Sequence, residues 1–87
     1  MDSNSSAWYV YILECRNGSF YVGISQDVAK RFIMHQQSHG AEFTKRFQPV
    51  KISWQEVHDS IGSARQREIQ LKGWSRKKKQ QLISGII

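Results

Sequence analysis

Five side chains in this sequence belong to the types that hold metals, grip phosphates or move protons, and their positions resist a simple packing account: Tyr11, Tyr21, Arg31, His35 and Glu68. Glu68 is the plainest anomaly. At ~100° per residue, a helix started within Ser60–Ser63 and running through Lys72 puts its carboxylate inside the apolar arc of Ile61, Ala64 and Leu71. Burying an ionised carboxylate is costly unless it is paired or binds a metal, so Glu68 is either the structural partner of an Arg or Tyr or a metal ligand. Arg31 and His35 are spaced i, i+4 at the edge of an apolar arc, where both could reach into one cleft. The arginine fork suits a phosphate and the imidazole suits proton transfer near neutral pH; the alternative is a boundary pair satisfied by backbone carbonyls. His35 and His39 also have the H-x3-H spacing of a zinc site, but Cys15 is the only thiol to join them. Tyr9, Tyr11 and Tyr21 fall on strands, where most tyrosines simply pack.

The elements that would position these groups are marked by turns and periodicity. Trp8–Cys15 and residues 20–24 are rich in aromatic and β-branched residues and flank Asn17-Gly18, which reads as a β-hairpin. A two-residue turn would put Tyr11 and Tyr21 on opposite faces. A three-residue loop of Arg16, Asn17 and Gly18, with the glycine at positive φ as a bulge, brings both hydroxyls to one face. Asp27 is placed to cap a helix over 28–38, whose apolar arc is Val28, Ala29, Phe32, Ile33 and Gln36, with Gly40 as a stop. Residues 41–49 read as a loop ending at Pro49. Val50, Ile52 and Trp54 alternate with polar residues as a third, half-buried strand. A second helix starts within Ser60–Ser63 and runs to Lys72, and Ser75 caps a short third helix carrying Arg76, Lys77, Lys78 and Lys79. The order is ββαβαα, a small α+β domain.

At 87 residues the chain is one domain, 7–87, behind a Ser/Asn-rich tail, 1–6, expected to be disordered. The apolar runs fall short of the roughly 18 residues of a membrane span. The opening MDSNSS lacks the basic start of a secretory signal, and the lone Cys15 excludes an internal disulfide, so a cytoplasmic protein is expected. Charge divides sharply. Residues 1–60 balance six Lys/Arg against six Asp/Glu, while 61–87 set seven Lys/Arg against Glu68 alone and carry the whole net charge of +6. Such asymmetry points to a polyanionic partner, most often nucleic acid; a solvated lysine-rich helix is the bland alternative.

Together, Tyr9-Val10-Tyr11, Tyr21-Val22-Gly23, Arg31, His35 and Glu68, with AEFTKRFQPV at 41–50 and IQLKGWSRKKK at 69–79, resemble the GIY-YIG nuclease family, over Trp8 to about Ile83. The likeness is to its small stand-alone bacterial branch of UPF0213-like proteins and single-strand-specific endonucleases. The resemblance implies a three-stranded antiparallel sheet flanked by helices and a Mg²⁺- or Mn²⁺-dependent endonuclease hydrolysing DNA, single-stranded or branched, with little sequence preference. It implies Tyr11 as general base, Tyr21 and Gly23 as the second motif, Arg31 on the scissile phosphate, His35 one turn later, and Glu68 as the single metal carboxylate. Lys30, Lys45, Arg46 and the basic third helix would bind the strand. Departures are Tyr9 and Val10, where the family name has Gly and Ile, and Ile83, where many relatives carry a polar residue. Two other classes remain open: a non-catalytic nucleic-acid-binding module using the basic C-terminal helix, and a protein-interaction domain docking that helix on an acidic partner.

Overall fold

The computed structural model describes residues 7–37 and 42–87. The tail 1–6, His39 and the helix stop at Gly40 lie outside the described residues. Two strands, β1 (Trp8–Cys15) and β2 (Phe20–Ser25), form the expected hairpin, with Tyr11 opposite Gly23 and Leu13 opposite Tyr21. That register requires the three-residue loop. Gly18 sits at φ +85°, its N–H donates to Cys15 O (2.8 Å), and Cys15 N–H donates to Ser19 O (2.8 Å). A β-branched side chain there would meet the left-handed penalty.

Helix α1 (Val28–Gln36) starts where the Asp27 carboxylate accepts from Lys30 N–H at 3.1 Å. A short helix, α2 (Glu42–Arg46), occupies part of the segment expected to be a loop. Strand β3 (Pro49–His58) follows, then α3 (Ile61–Lys72), capped by Ser60, and α4 (Arg76–Ile83), capped by Ser75. The sheet order is β2-β1-β3, antiparallel throughout. This is the α+β architecture the sequence implied, with α2 added.

As the central strand, β1 is covered on both faces, so Val10, Tyr11, Ile12 and Leu13 are all buried. On one face Val10, Ile12 and Val22 pack with Ala64, Leu71 and Leu82 of α3 and α4. On the other, Tyr11 and Leu13 pack with Val28, Phe32 and Ile52. Cys15 is buried at the hairpin end, and burial raises its thiol pKa. Arg76 ties α4 to the same end: its guanidinium donates to Gly18 O at 2.7 and 3.2 Å and lies 4.8 Å from the Phe20 ring centroid.

Two expectations fail on face assignment. Val50, Ile52 and Trp54 do not share a buried face, because β3 slips register against β1 between Ile12/Leu13 and again between Glu14/Cys15. Ser53 is the extra residue at the first slip and Val50 at the second; each bulge inverts the parity of the strand. Trp54 therefore packs with the α3 face, Ile52 with the α1 face, and Val50 is exposed. In α1 the inward face is rotated: Val28 and His35 are buried while Ala29 and Ile33 are exposed. A histidine can turn inward because polar partners meet it there.

Candidate active site

All five chemistry-bearing side chains open on one cleft of about 480 Å³ at the β2 edge of the sheet. Tyr11, Tyr21 and Gly23 come from the hairpin, Arg31 and His35 from α1, and Arg65 and Glu68 from α3; Trp8, Ile24 and Ile61 supply apolar wall. Placing Tyr11 and Tyr21 on one face is the work of the three-residue turn. Keeping the cleft open beside them is the work of Gly23: a Cβ there would stand 2.5 Å from Tyr11 Oη and 3.1 Å from Tyr21 Cε2.

The rings of Tyr11, Tyr21 and His35 cluster, with centroids 5.0–6.4 Å apart. Tyr11 Oη is 3.1 Å from His35 Nε2, and His35 Nδ1 is 2.7 Å from Thr44 Oγ1. Burial lowers the His35 pKa, and the neighbouring Arg31 cation lowers it further, so the ring is neutral at physiological pH. A neutral imidazole has a single N–H, so its two bonds constrain one another: if Nδ1–H donates to Thr44, Nε2 accepts from Tyr11. Burial likewise raises the Tyr11 pKa well above the usual phenol value, with Tyr21 adding to the rise and Arg31 opposing it. Tyr21 is raised too, mainly by burial, with Lys72 as the strongest opposing influence.

Glu68 faces inward, as its place in the apolar arc requires, at 7% exposure. It is not alone. Lys72 Nζ lies 3.1 Å from Oε2 and Arg65 Nη1 lies 3.6 Å from Oε1. Among the described residues no group of three or more His, Cys, Asp or Glu converges as a ready metal cage. A single hard carboxylate nevertheless fits Mg²⁺ or Mn²⁺ sites of the kind completed by water and substrate phosphate, and any such ion would compete with Lys72 for it.

Three participants escaped the sequence reading. Lys72 and Arg65 are i+4 and i−3 from Glu68, a spacing that was legible. Thr44 gave no signal, since it lies in the segment read as a loop. The expected strand-binding residues are scattered. Lys30 is exposed on α1, and Lys45 and Arg46 are exposed on α2. The basic helix divides its cations: Arg76 holds the turn, Lys78 Nζ lies 4.3 Å from the Trp74 ring centroid, Lys79 is partly buried, which lowers its pKa, and Lys77 is exposed. No described helix is long and apolar enough to cross a membrane.

Comparison with known proteins agrees with this geometry. A family model described as the GIY-YIG catalytic domain matches residues 7–81. The chain is 43% identical over 76 residues to a UPF0213 protein of Staphylococcus saprophyticus, covering 87% of this chain and 93% of that protein. It is 41% identical over 70 residues to a UPF0213 protein of Cupriavidus necator, covering 80% and 76%. The solution NMR structure of a UPF0213 protein from Bacillus halodurans superposes with a TM-score of 0.57 at 38% identity, covering 90% of this chain and 83% of that one.

Proposed function

The chain belongs to the GIY-YIG family, and from that premise we propose that it is a divalent-metal-dependent endonuclease hydrolysing DNA phosphodiester bonds, acting on single-stranded or branched DNA with little sequence preference. The observation that carries the reading is the convergence of Tyr11, Tyr21, Arg31, His35 and Glu68 on one open cleft.

In this reading Glu68 would hold Mg²⁺ or Mn²⁺, which would supply Lewis acidity at the scissile phosphate. The Arg31 guanidinium binds a non-bridging phosphate oxygen and offsets charge as the water oxygen bonds to phosphorus and the P–O bond to the leaving strand breaks, the leaving oxygen taking a proton from solvent. Tyr11 takes a proton from the attacking water. A phenol held above its usual pKa cannot do this as a standing phenolate, so its own proton must leave as the new one arrives. His35 provides the outlet: neutral, 3.1 Å from Tyr11 Oη and held from behind by Thr44, it accepts the phenolic proton at Nε2. Tyr21 closes the cleft and orients the water or the phosphate from the same face. Lys77 and the exposed cations of α1 and α2 hold the strand.

A second reading has its own support. The carboxylate of Glu68 is already paired with two cations, as in a structural carboxylate, which suits a non-catalytic nucleic-acid-binding module. Glu68→Gln separates the two. Lys72 and Arg65 are more than half exposed, so the variant strands no buried cation and should melt within about 1 kcal/mol of the native chain. With labelled single- and double-stranded DNA, native protein should cleave in Mg²⁺ or Mn²⁺ and not in EDTA, and Glu68→Gln should not cleave. Cleavage by the variant at the native rate would refute the metal role. DNA binding by native protein without cleavage in either metal would establish the binding module.

A further inference from the structure

A second basic hollow, which the cleft chemistry does not use, lies beside the hairpin turn. Arg16 and Asn17 of the turn, Lys45 and Arg46 of α2, and Phe47 and Gln48 after it enclose about 420 Å³. Its walls are joined through the backbone: Arg16 N–H donates to Gln48 O at 2.7 Å. The Arg16 guanidinium is therefore not what holds the turn against this segment. Arg16, Lys45 and Arg46 are exposed, and Arg46 lies 5.8 Å from the centroid of the half-buried Phe47 ring. Glu42 is the single acid on α2, so the hollow stays positive. Cations lining a groove with an aromatic face among them are the means by which proteins hold single strands, the cations taking phosphates and the ring a base.

The hollow is tied to the cleft. Helix α2 turns Thr44 inward to His35 and presents Lys45 and Arg46 outward to the hollow. From Tyr11 on β1 to Arg16 in the turn after it is five residues, about 17 Å of extended chain at ~3.4 Å per residue. An extended single strand crosses that distance in a few nucleotides. We propose that the hollow is a second backbone-phosphate subsite for single-stranded DNA, seating a phosphate a few nucleotides from the one held in the cleft. Arg16 and Arg46 take phosphate oxygens, Lys45 adds a point charge, and the Phe47 ring stacks with a base. The proposal rests on the nuclease reading of the cleft for the position of the first phosphate.

The test is binding of fluorescein-labelled oligothymidylates of 2, 8 and 12 nucleotides to the full chain in EDTA, comparing native protein with an Arg16→Gln/Lys45→Gln/Arg46→Gln variant. Circular dichroism first checks that the variant keeps the native melt. The 12-mer should bind the variant roughly tenfold more weakly at low salt, with a salt slope flatter by about 0.7 for each phosphate no longer neutralised; the 2-mer, too short to bridge the cleft and the hollow, should lose clearly less. An unchanged slope and affinity for the 12-mer would overturn the proposal and make the hollow a solvated face. So would equal losses at every length, or an equal loss with a duplex of the same length, whose bases cannot reach Phe47. Failure of the nuclease reading looks different: native protein would show no Mg²⁺- or Mn²⁺-dependent cleavage. Length-dependent binding that survived alongside that result would still support the phosphate subsite.

Discussion

At Gly23 one absent methyl group decides whether the Tyr11 phenol can lie across the hairpin. Gly23→Ala would bring a Cβ within 2.5 Å of Tyr11 Oη and 2.7 Å of Cζ, so the ring must leave its place against His35 Nε2. The expected loss is about 1–3 kcal/mol from overpacking, together with, on the proposed role of Tyr11 as base, about 10²-fold in cleavage rate. Thermal melts and single-turnover kinetics measure the two separately, and native cleavage kinetics in a destabilised variant would show that the phenol's position is irrelevant to chemistry. The same pair of residues, Tyr11 and His35, sets a pH window. His35 titrates lower in the folded chain than its unfolded value of about 6.5, so the unfolded chain binds the extra proton first and stability falls as pH drops below that value. Tyr11 titrates higher when folded, so stability falls again as pH rises above about 10. Urea midpoints across pH should show both limbs, with His35→Gln flattening the acid limb and Tyr11→Phe the alkaline one. Intact limbs in both variants would assign the pH dependence elsewhere.

Strand β3 shows at the level of elements where sequence patterning runs out. The hairpin was legible because Asn17-Gly18 is strong turn chemistry and a shared tyrosine face selects the odd-numbered loop. The bulges of β3 have no such mark: Ser53 and Val50 are ordinary strand residues, and strict alternation read through them puts Ile52 and Trp54 on one face when they serve opposite layers. Helix α2 was illegible for another reason, since five residues are too few to show a 3.6-residue period, and Thr44 was lost with it. Ser53 itself gives a paired test. Its Oγ is buried with no hydrogen-bond partner among the described residues, so Ser53→Ala should be neutral or stabilising. Deleting Ser53 makes Ile52 and Trp54 neighbours that still alternate between the two layers, with Ile52 opposite Leu13 and Trp54 opposite Ile12, so it should cost less than about 1 kcal/mol in denaturant unfolding. A loss of several kcal/mol would mean that β3 needs the bend of the bulge itself, beyond the faces it assigns.

Folded, the basic third of the chain is divided among several tasks, which its composition could not reveal. Arg65 and Lys72 neutralise Glu68; Arg67 pairs with Glu56 and lies 5.5–5.8 Å from the Trp54 and Trp74 ring centroids; Arg76 holds Gly18 O; Lys78 covers Trp74. Several of these partners come from strands and turns distant in sequence, so a charge count gives the size of the excess and not which of its cations the fold engages. Where the two basic regions meet, at the hairpin end, the molecule carries its own clock. Cys15 is the only thiol in the chain, 2% exposed and next to the turn that Arg76 clamps. A thiol reagent can reach it only when that end opens, so the labelling rate reports the opening equilibrium multiplied by the rate of an unhindered cysteine. Gly18→Val or Arg76→Gln should speed labelling well before either changes the global melt. A 12-nucleotide strand seated beside Arg16 should slow it. Labelling that tracked global unfolding alone would mean that this end opens only when the whole domain does.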